Sequence, residues 1–573
     1  MTTVCGVYFI IILSVINLLY MHYTMYLNHY LQIMYVYSNI VNLLSVCFDV
    51  CAIFILLYYL IGKNIKLTMS LLFFVTLVWS FVNVMYSRFF YQYLPLSSVG
   101  QTPALFESFI FDSLISGFRY VDIFYLFSLI FFLLWYRFIK VSIIKGLIRY
   151  FVIILLGSVF LIGSLYSVYH FLHVKTRYNM AMYSARINEL VLGNTKNTGT
   201  SLVDTKFHAG SVRTIVWETI YRYKKEELSK EQIKLIEAEY LRTDHRVSAH
   251  KRPNQIKNVI IVLLESMLSA PIDLVVDGKE ITPFLNELKK TPNVYYNGEM
   301  QPNITIGESG DGQFIYMTGL LPLQNDLTVQ VAKDRVLPAL PKLLKVDETN
   351  IIIPSLPNVW EQADMNKAYG ISTTYSKLDM TDMNVKFVSD DVVFKTAMNT
   401  MHKTDNTFFS MVLSISTHMP YNTFIDDSFI LNDKSYSFQY LAYLNACHYM
   451  DFNLKLYIDD LKKKGLYDNS LIIVTADHHA HIGDLNMGTR LTSNLPLYII
   501  NGNIDMNTAW TGKMNQLDVY STILDILQIE TKWHGLGRTL LLPDYYDSVN
   551  QSLYDISRMI IESDYFKNYY SEK

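Results

Sequence analysis

Five apolar stretches crowd the first third of this chain, each long enough to cross a bilayer as a helix: about Cys5–Tyr23, Tyr37–Gly62, Leu67–Tyr86, Val121–Tyr136 and Phe151–Leu172. The hydrocarbon core of a membrane, roughly 30 Å thick, asks for about 20 apolar helical residues. Inside it the backbone must satisfy its own hydrogen bonds, so these stretches have to be helices. The first has the position of a signal peptide. No small-residue cleavage site follows it and four further spans do, so it reads as an anchor. Residues 1–172 are therefore expected to form a five-helix transmembrane domain. The chain of 573 residues is 51% hydrophobic, and the excess lies in this first part.

Lysine and arginine in the short loops set the orientation. Lys63 and Lys66 follow the second span; Arg137, Lys140, Lys145 and Arg149 follow the fourth. The alternate loops offer Arg88 and Arg119. The first set is expected in the cytoplasm, and everything after the fifth span outside it. The net charge of −3 gives no basic surface for nucleic acid. Of four cysteines, Cys5, Cys47 and Cys51 lie in spans, so Cys447 has no partner for a disulfide within the outer part. A core of roughly 300 residues is stable without one. Asp49 lies within the second span. An intramembrane carboxylate is either a functional group or, as read here, a polar contact between helices.

Beyond the spans the composition changes twice. Residues 173–255 are mixed and charged and read as a helical extracytoplasmic linker, with Lys224–Arg242 as a solvent-facing helix. From residue 256 to 545 short, very apolar runs alternate with helical segments. The runs are Asn258–Leu264, Asn350–Pro354, Phe408–Ser416, Ser470–Ala476 and Leu495–Ile500; the helices include Phe438–Gly465 and Leu517–Leu527. Runs that apolar suit strands buried on both faces. Their alternation with helices argues an α/β/α sandwich with a mainly parallel sheet. Residues 546–573 are left as a C-terminal tail.

In such sheets ligands bind beyond the carboxyl ends of strands. Glu265 directly follows the first run, and Asp477, His478 and His479 follow the fourth. A third segment, "TIGESGDGQF" (Thr305–Phe314), sets Ser309 among Gly307, Gly310 and Gly312. Each feature has an ordinary explanation: a turn, a salt bridge, a cap. Together they offer carboxylate, imidazole and hydroxyl, a set that suits Zn²⁺ or Mn²⁺. A divalent cation beside a serine lowers its pKa and steadies charge on a transferring phosphoryl group. Glycines let backbone N–H groups approach that anion. "STHMPY" (Ser416–Tyr421) is a further strand end, carrying His418. His448, in a helix, reads as a core residue.

The order of these motifs resembles that of the lipoteichoic acid synthase-like phosphoglycerol transferases, within the alkaline phosphatase and sulfatase superfamily. The five-span layout is similar to theirs, and "NVMYSRFFYQYLP" (Asn83–Pro95) resembles their motif at the outer end of the third span. "NVIIVLLES" (Asn258–Ser266), "TPFLNEL" (Thr282–Leu288), "GESGDGQF" (Gly307–Phe314), "LPL" (Leu321–Leu323), "STHMPY" and "GLYDNSLIIVTADHH" (Gly465–His479) follow in family order. "LPLYI", "QLDVYSTILDIL" (Gln516–Leu527) and "GLGRTLL" (Gly535–Leu541) close the domain.

The resemblance implies one divalent metal, manganese first with zinc or magnesium as alternatives, held by Glu265, Ser309, Asp477 and His478. It implies Ser309 as nucleophile, where the family usually has threonine, and His418 and Trp360 as substrate-binding residues. It further implies a phospholipid donor and a glycolipid, glycan or polymer acceptor at the outer face of the cell membrane. Three departures stand out. Gln362 replaces an arginine in "NVWEQAD" (Asn358–Asp364), Gln313 replaces an acidic residue, and "DHHAH" is rich in histidine, so that His479 or His481 is a candidate for a second metal.

Other readings are a phosphoethanolamine transferase, a phosphodiester or sulfate ester hydrolase, and a non-catalytic membrane scaffold. A formylglycine sulfatase is set aside, because neither proline nor arginine follows Ser309 in register.

Overall fold

In a computed structural model the described residues are 2–29, 36–62, 64–90, 93–94, 118–138, 152, 157, 210–223, 227–242, 248 and 250–570, less 325, 382–387, 402–405, 420, 422–425, 427, 481–491, 545–546 and 548. The chain divides into two units, one of Met1–Gly100 with Leu114–Lys225 and one of Gln101–Ser113 with Glu226–Lys573.

In the first unit, α1 (Thr2–His29), α2 (Val36–Leu60), α3 (Ile65–Phe90) and α4 (Ile123–Phe138) follow the apolar runs. Among the described residues four segments, Val7–Met25, Asn42–Leu60, Ile65–Arg88 and Tyr120–Phe138, are long and apolar enough to cross a membrane. The fifth expected span, Phe151–Leu172, lies almost wholly outside the described residues. Polar side chains inside this bundle pair with one another. Ser80 Oγ donates to the Asn17 carbonyl at 2.7 Å, and Ser128 Oγ to Asn17 Oδ1 at 2.8 Å. Asp49 accepts from the backbone N–H groups of Ser211 (2.6 Å) and Val212 (3.1 Å), at the start of α5 (Ser211–Tyr223). Its contact is thus with a helix N-terminus, whose first amides have no partner within their own helix.

In the second unit, α6 (Lys230–Arg242) is shorter than the stretch expected from Lys224. It is not solvent-facing all round. Ile236 is buried in the core, and Tyr240 stacks on Trp533 at 4.9 Å.

An eight-stranded sheet organises the rest of this unit. In chain order the strands are β1 (Asn258–Leu264), β2 (Val294–Gln301), β3 (Glu348–Ile352), β4 (Thr373–Tyr375), β5 (Phe408–Leu413), β6 (Ser470–Ala476), β7 (Leu495–Ile500) and β8 (Met514–Asn515). Their order across the sheet is β8-β2-β7-β6-β1-β5-β3-β4. Every residue of β1, β5, β6 and β7 is buried, as strands covered on both faces require. β1 lies between β5 and β6, parallel to both, while β7 runs antiparallel to β6 and β2.

The helices that bear on the site are α7 (Ser309–Thr318), α8 (Gln362–Tyr369), α9 (Asp390–Thr400) and α10 (Phe438–Lys463). Residues 546–573, read from sequence as a tail, contain α11 (Gln551–Glu562). Its Leu553, Ile556 and Ile560 recur at helical spacing and join the same buried core.

A candidate metal centre at the strand ends

Parallel register decides which side chains meet. Leu264 on β1 pairs with Ala476 on β6, so the residues that follow them, Glu265 and Asp477, leave the sheet side by side. Glu265, Asp477 and His478 are all buried, and one ligand atom from each lies within 4.8 Å of the others.

Ser309 begins α7, and its hydroxyl completes the group. Its Oγ donates to Glu265 Oε2 at 3.3 Å and lies 3.2 Å from His478 Nε2. A helix N-terminus of this kind carries a partial positive charge from its aligned peptide dipoles. Close approach of α7 requires Gly312: a Cβ there would lie 2.2 Å from the carbonyl oxygen of Asp477. Asp311 holds the preceding loop, accepting at Oδ2 from the N–H groups of Thr305 (3.0 Å) and Gly307 (2.9 Å).

The electrostatics ask for a cation. Burial raises the Glu265 carboxyl, but the charge of His478 and their hydrogen bond outweigh it and hold the group below the carboxylate range. Burial, then the Glu265 charge, push Asp477 up to about 7. Burial alone would make His478 neutral, yet Asp477 and Glu265 together raise it well above its ordinary value. With protons alone, an imidazolium supplies the positive charge this pair of buried carboxylates needs. A divalent ion fits the same demand with the same oxygen and nitrogen donors.

Neighbouring segments brace the group. Ser266 donates through its N–H to Asp477 Oδ1 at 3.0 Å and through its hydroxyl to Glu265 Oε1 at 2.9 Å. Gln516 Nε2 donates to the Asp477 carbonyl at 2.8 Å. The loop after β5 is tied to β1, because the Glu265 N–H donates to Ser414 Oγ (2.9 Å) and Thr417 Oγ1 donates to the Glu265 carbonyl. Asp390, the first residue of α9, accepts from the N–H groups of Ile415 (2.7 Å) and Ser416 (3.2 Å). That loop carries His418, half-buried, whose Nδ1 lies 2.6 Å from the Met419 carbonyl.

Trp360 lies in a short turn where both it and Glu361 have positive φ, 53° and 54°. The turn is joined to α7 indirectly: Gln362 Nε2 donates to Gln313 Oε1 at 2.9 Å. The two glutamines that depart from the resembled pattern are therefore partners, a buried neutral pair. His479 lends its carbonyl to His478, whose Nδ1 is 2.9 Å away, and His481 lies outside the described residues. His448 packs as expected, stacked on Phe429 at 3.6 Å with Nδ1 3.0 Å from the Ile281 carbonyl. Ser266, Asp390 and Gln516 were not singled out in the sequence. Polar residues next to a strand end or opening a helix carry no distinctive spacing.

A buried carboxylate–imidazole cluster thus stands at parallel strand ends, beside a hydroxyl at a helix start, with donors that could hold a divalent ion. The family described as Sulfatase matches residues 257–529, the segment that carries this sheet and cluster, so that segment is a sulfatase-family domain. The chain is 28% identical over 299 residues to the lipoteichoic acid synthase of Staphylococcus aureus (strain USA300), covering 48% of this chain and 46% of the relative. The match thus spans about half the length of the curated relatives. Among solved structures, the lipoteichoic acid synthase LtaP from Listeria monocytogenes is similar at 20% identity and TM-score 0.47, covering 58% of this chain and 98% of that one. The phosphoethanolamine transferase EptA from Neisseria meningitidis is 14% identical at TM-score 0.48, covering 88% of this chain and 98% of that one.

Proposed function

We propose that this chain is a membrane-anchored, metal-dependent phosphotransferase whose sulfatase-family domain works at the outer face of the cell membrane. It moves a phosphoglycerol-type head group from a phospholipid to an acceptor hydroxyl on a glycolipid, glycan or polymer. The observation that carries this reading is the place of Ser309, at a helix N-terminus and within 3.3 Å of Glu265 and 3.2 Å of His478. The similarity to lipoteichoic acid synthase supports the substrate class.

Glu265, Asp477, His478 and the Ser309 oxygen would hold the cation, manganese in the first place. When bound, it lowers the pKa of the hydroxyl and offsets charge on the phosphoryl group. Ser309 Oγ forms a bond to phosphorus as the bond from phosphorus to the diacylglycerol oxygen breaks, and that oxygen leaves with a proton. The acceptor hydroxyl then attacks phosphorus, gives up its proton and frees Ser309. Dividing the transfer in this way is nucleophilic catalysis. His418, on the loop tied to Glu265, orients the head group or carries the proton. Trp360 contacts the substrate from its strained turn. Strain kept at such a place is a mark of a functional constraint.

The test is to incubate the full-length protein with labelled phosphatidylglycerol or phosphatidylethanolamine and search Ser309 for an adduct by mass spectrometry. A glycerophosphoryl mass on Ser309 is expected. An ethanolamine adduct alone would move the assignment to the phosphoethanolamine class. Full turnover by Ser309→Ala would refute the serine mechanism.

A further inference from the structure

Glu308, immediately before Ser309, combines three features that do not belong together by chance. It is buried, with 7% exposure. Its backbone has φ 44° and ψ −118°, a conformation that glycine adopts freely and a side chain makes costly. It stands at the N-cap of α7, yet its side chain makes no capping hydrogen bond to that helix. A glycine would fit the backbone better, and an Asp or Ser would cap better. The side chain must be kept for another contact.

One such contact is with His478. Glu308 Oε2 lies 3.4 Å from His478 Nδ1. The other ring nitrogen, Nε2, lies 3.2 Å from Glu265 Oε1, 3.6 Å from Asp477 Oδ2 and 3.2 Å from Ser309 Oγ. The two nitrogens point away from each other across the ring, so Glu308 does not reach the same cation through His478. It faces the back of the ring while the ligand cluster faces the front. The hydrogen bond of the same Nδ1 runs to the His479 carbonyl, 2.9 Å away, and the Glu308 carboxylate stands beside it as a buried negative charge. Acceptors at Nδ1 favour a proton on that nitrogen and leave the Nε2 lone pair for a metal.

We propose that Glu308 is a positioning residue: its buried carboxylate, 3.4 Å from Nδ1 of His478, favours the proton on that nitrogen, so that Nε2 is presented to the cation shared with Glu265 and Asp477. The inference rests on the metal reading above. It explains why a strained position next to the nucleophile carries a glutamate. The backbone strain brings the carboxylate behind the imidazole, and the same turn delivers Ser309 to its front.

The experiment uses the full-length protein in detergent. Mn²⁺ affinity is measured by competition with a chromophoric chelator, the site geometry by the visible spectrum of the Co²⁺ form, and stability by thermal unfolding without metal. Glu308→Gly relieves the backbone and removes the carboxylate. It should unfold no earlier than the parent chain yet bind Mn²⁺ about 10- to 100-fold more weakly, with an altered Co²⁺ spectrum. Glu308→Gln keeps an acceptor oxygen and should recover part of both affinity and spectrum. Glu308→Gly binding Mn²⁺ as tightly as the parent, with the same Co²⁺ spectrum, overturns the proposal. If the glycine variant does not fold, Glu308→Ala is compared with Glu308→Gln: weaker binding by alanine supports the role, and equal binding overturns it. Failure of the parent chain itself to bind Mn²⁺, Zn²⁺ or Co²⁺ would instead remove the metal reading.

Discussion

Gly312 and Gly310 lie two residues apart on one helix and meet different neighbours. A Cβ on Gly312 would run into the backbone carbonyl of Asp477, whereas one on Gly310 would touch only Val329 Cγ1, at 3.1 Å. A side chain rotates away; a strand end held by its ladder does not. Gly312→Ala should therefore push Ser309 off the cluster, lowering turnover by ~100-fold or more, as a 1 Å misplacement does. Gly310→Ala should lose less than about tenfold, a cost below 1.4 kcal/mol. Steady-state rates of the two variants check this. The ligand assignment makes a second prediction. Asp477→Asn and His478→Ala should each lower bound metal clearly while the domain stays folded. Metal content by plasma mass spectrometry, with thermal unfolding beside it, decides. Unchanged content in both would exclude this metal site.

At the scale of an element, the short helix Pro283–Leu288 depends on a residue far along the chain. Asp451, on α10, accepts from the N–H groups of Phe284 (2.8 Å) and Leu285 (2.9 Å). Thr282, at the N-cap, makes no side-chain cap of its own. Burial pushes Asp451 up to about 7, against the two amides that lower it. The native state therefore holds this proton more tightly than the unfolded chain does. Its contribution to stability is complete below about pH 4, the unfolded carboxyl value, and is lost as pH rises through about 7. Between these limits one such proton tilts stability by up to ~1.4 kcal/mol per pH unit. Asp451→Asn should flatten that fall and cost about 1 kcal/mol for the weakened amide contact. Thermal midpoints of both chains from pH 4 to pH 8 measure it. An unchanged slope would mean that Asp451 does not titrate in this range.

For the whole molecule the prediction concerns sidedness. Lys63, Lys66, Arg137, Lys140, Lys145 and Arg149 cluster at the ends of the second and fourth apolar runs, on the side assigned to the cytoplasm. Reporter fusions after Ser87 and after His173 should report an external position, and fusions near Lys63 and Lys145 an internal one. The opposite pattern would place the sulfatase-family domain inside the cell and remove outer-leaflet phospholipids as its donors.

Periodicity and apolar run length carry information along the chain, and what they carry was legible. β1, β6 and β7 begin and end where their apolar runs do, because burial on both faces leaves no polar position to blur the edge. β2 was missed: its sequence, Val-Tyr-Tyr-Asn-Gly-Glu-Met-Gln, is polar in the middle and its pairing with β7 shifts register between Asn297 and Met300. β4 and β8, of three and two residues, are too short for any pattern, and exist only because β3 and β2 lie beside them. The same division holds at the site. Glu265, Asp477 and His478 were marked by following a strand, and Ser309 by its glycines. Sequence spacing alone determined those candidates and the membrane helices. Only the tertiary structure decided that Gln362 meets Gln313, that Asp390 anchors the His418 loop, and that Glu308 stands behind His478. Those contacts join segments 25 to 170 residues apart, and chain spacing carries no record of which distant backbones the parallel register of the sheet will bring together.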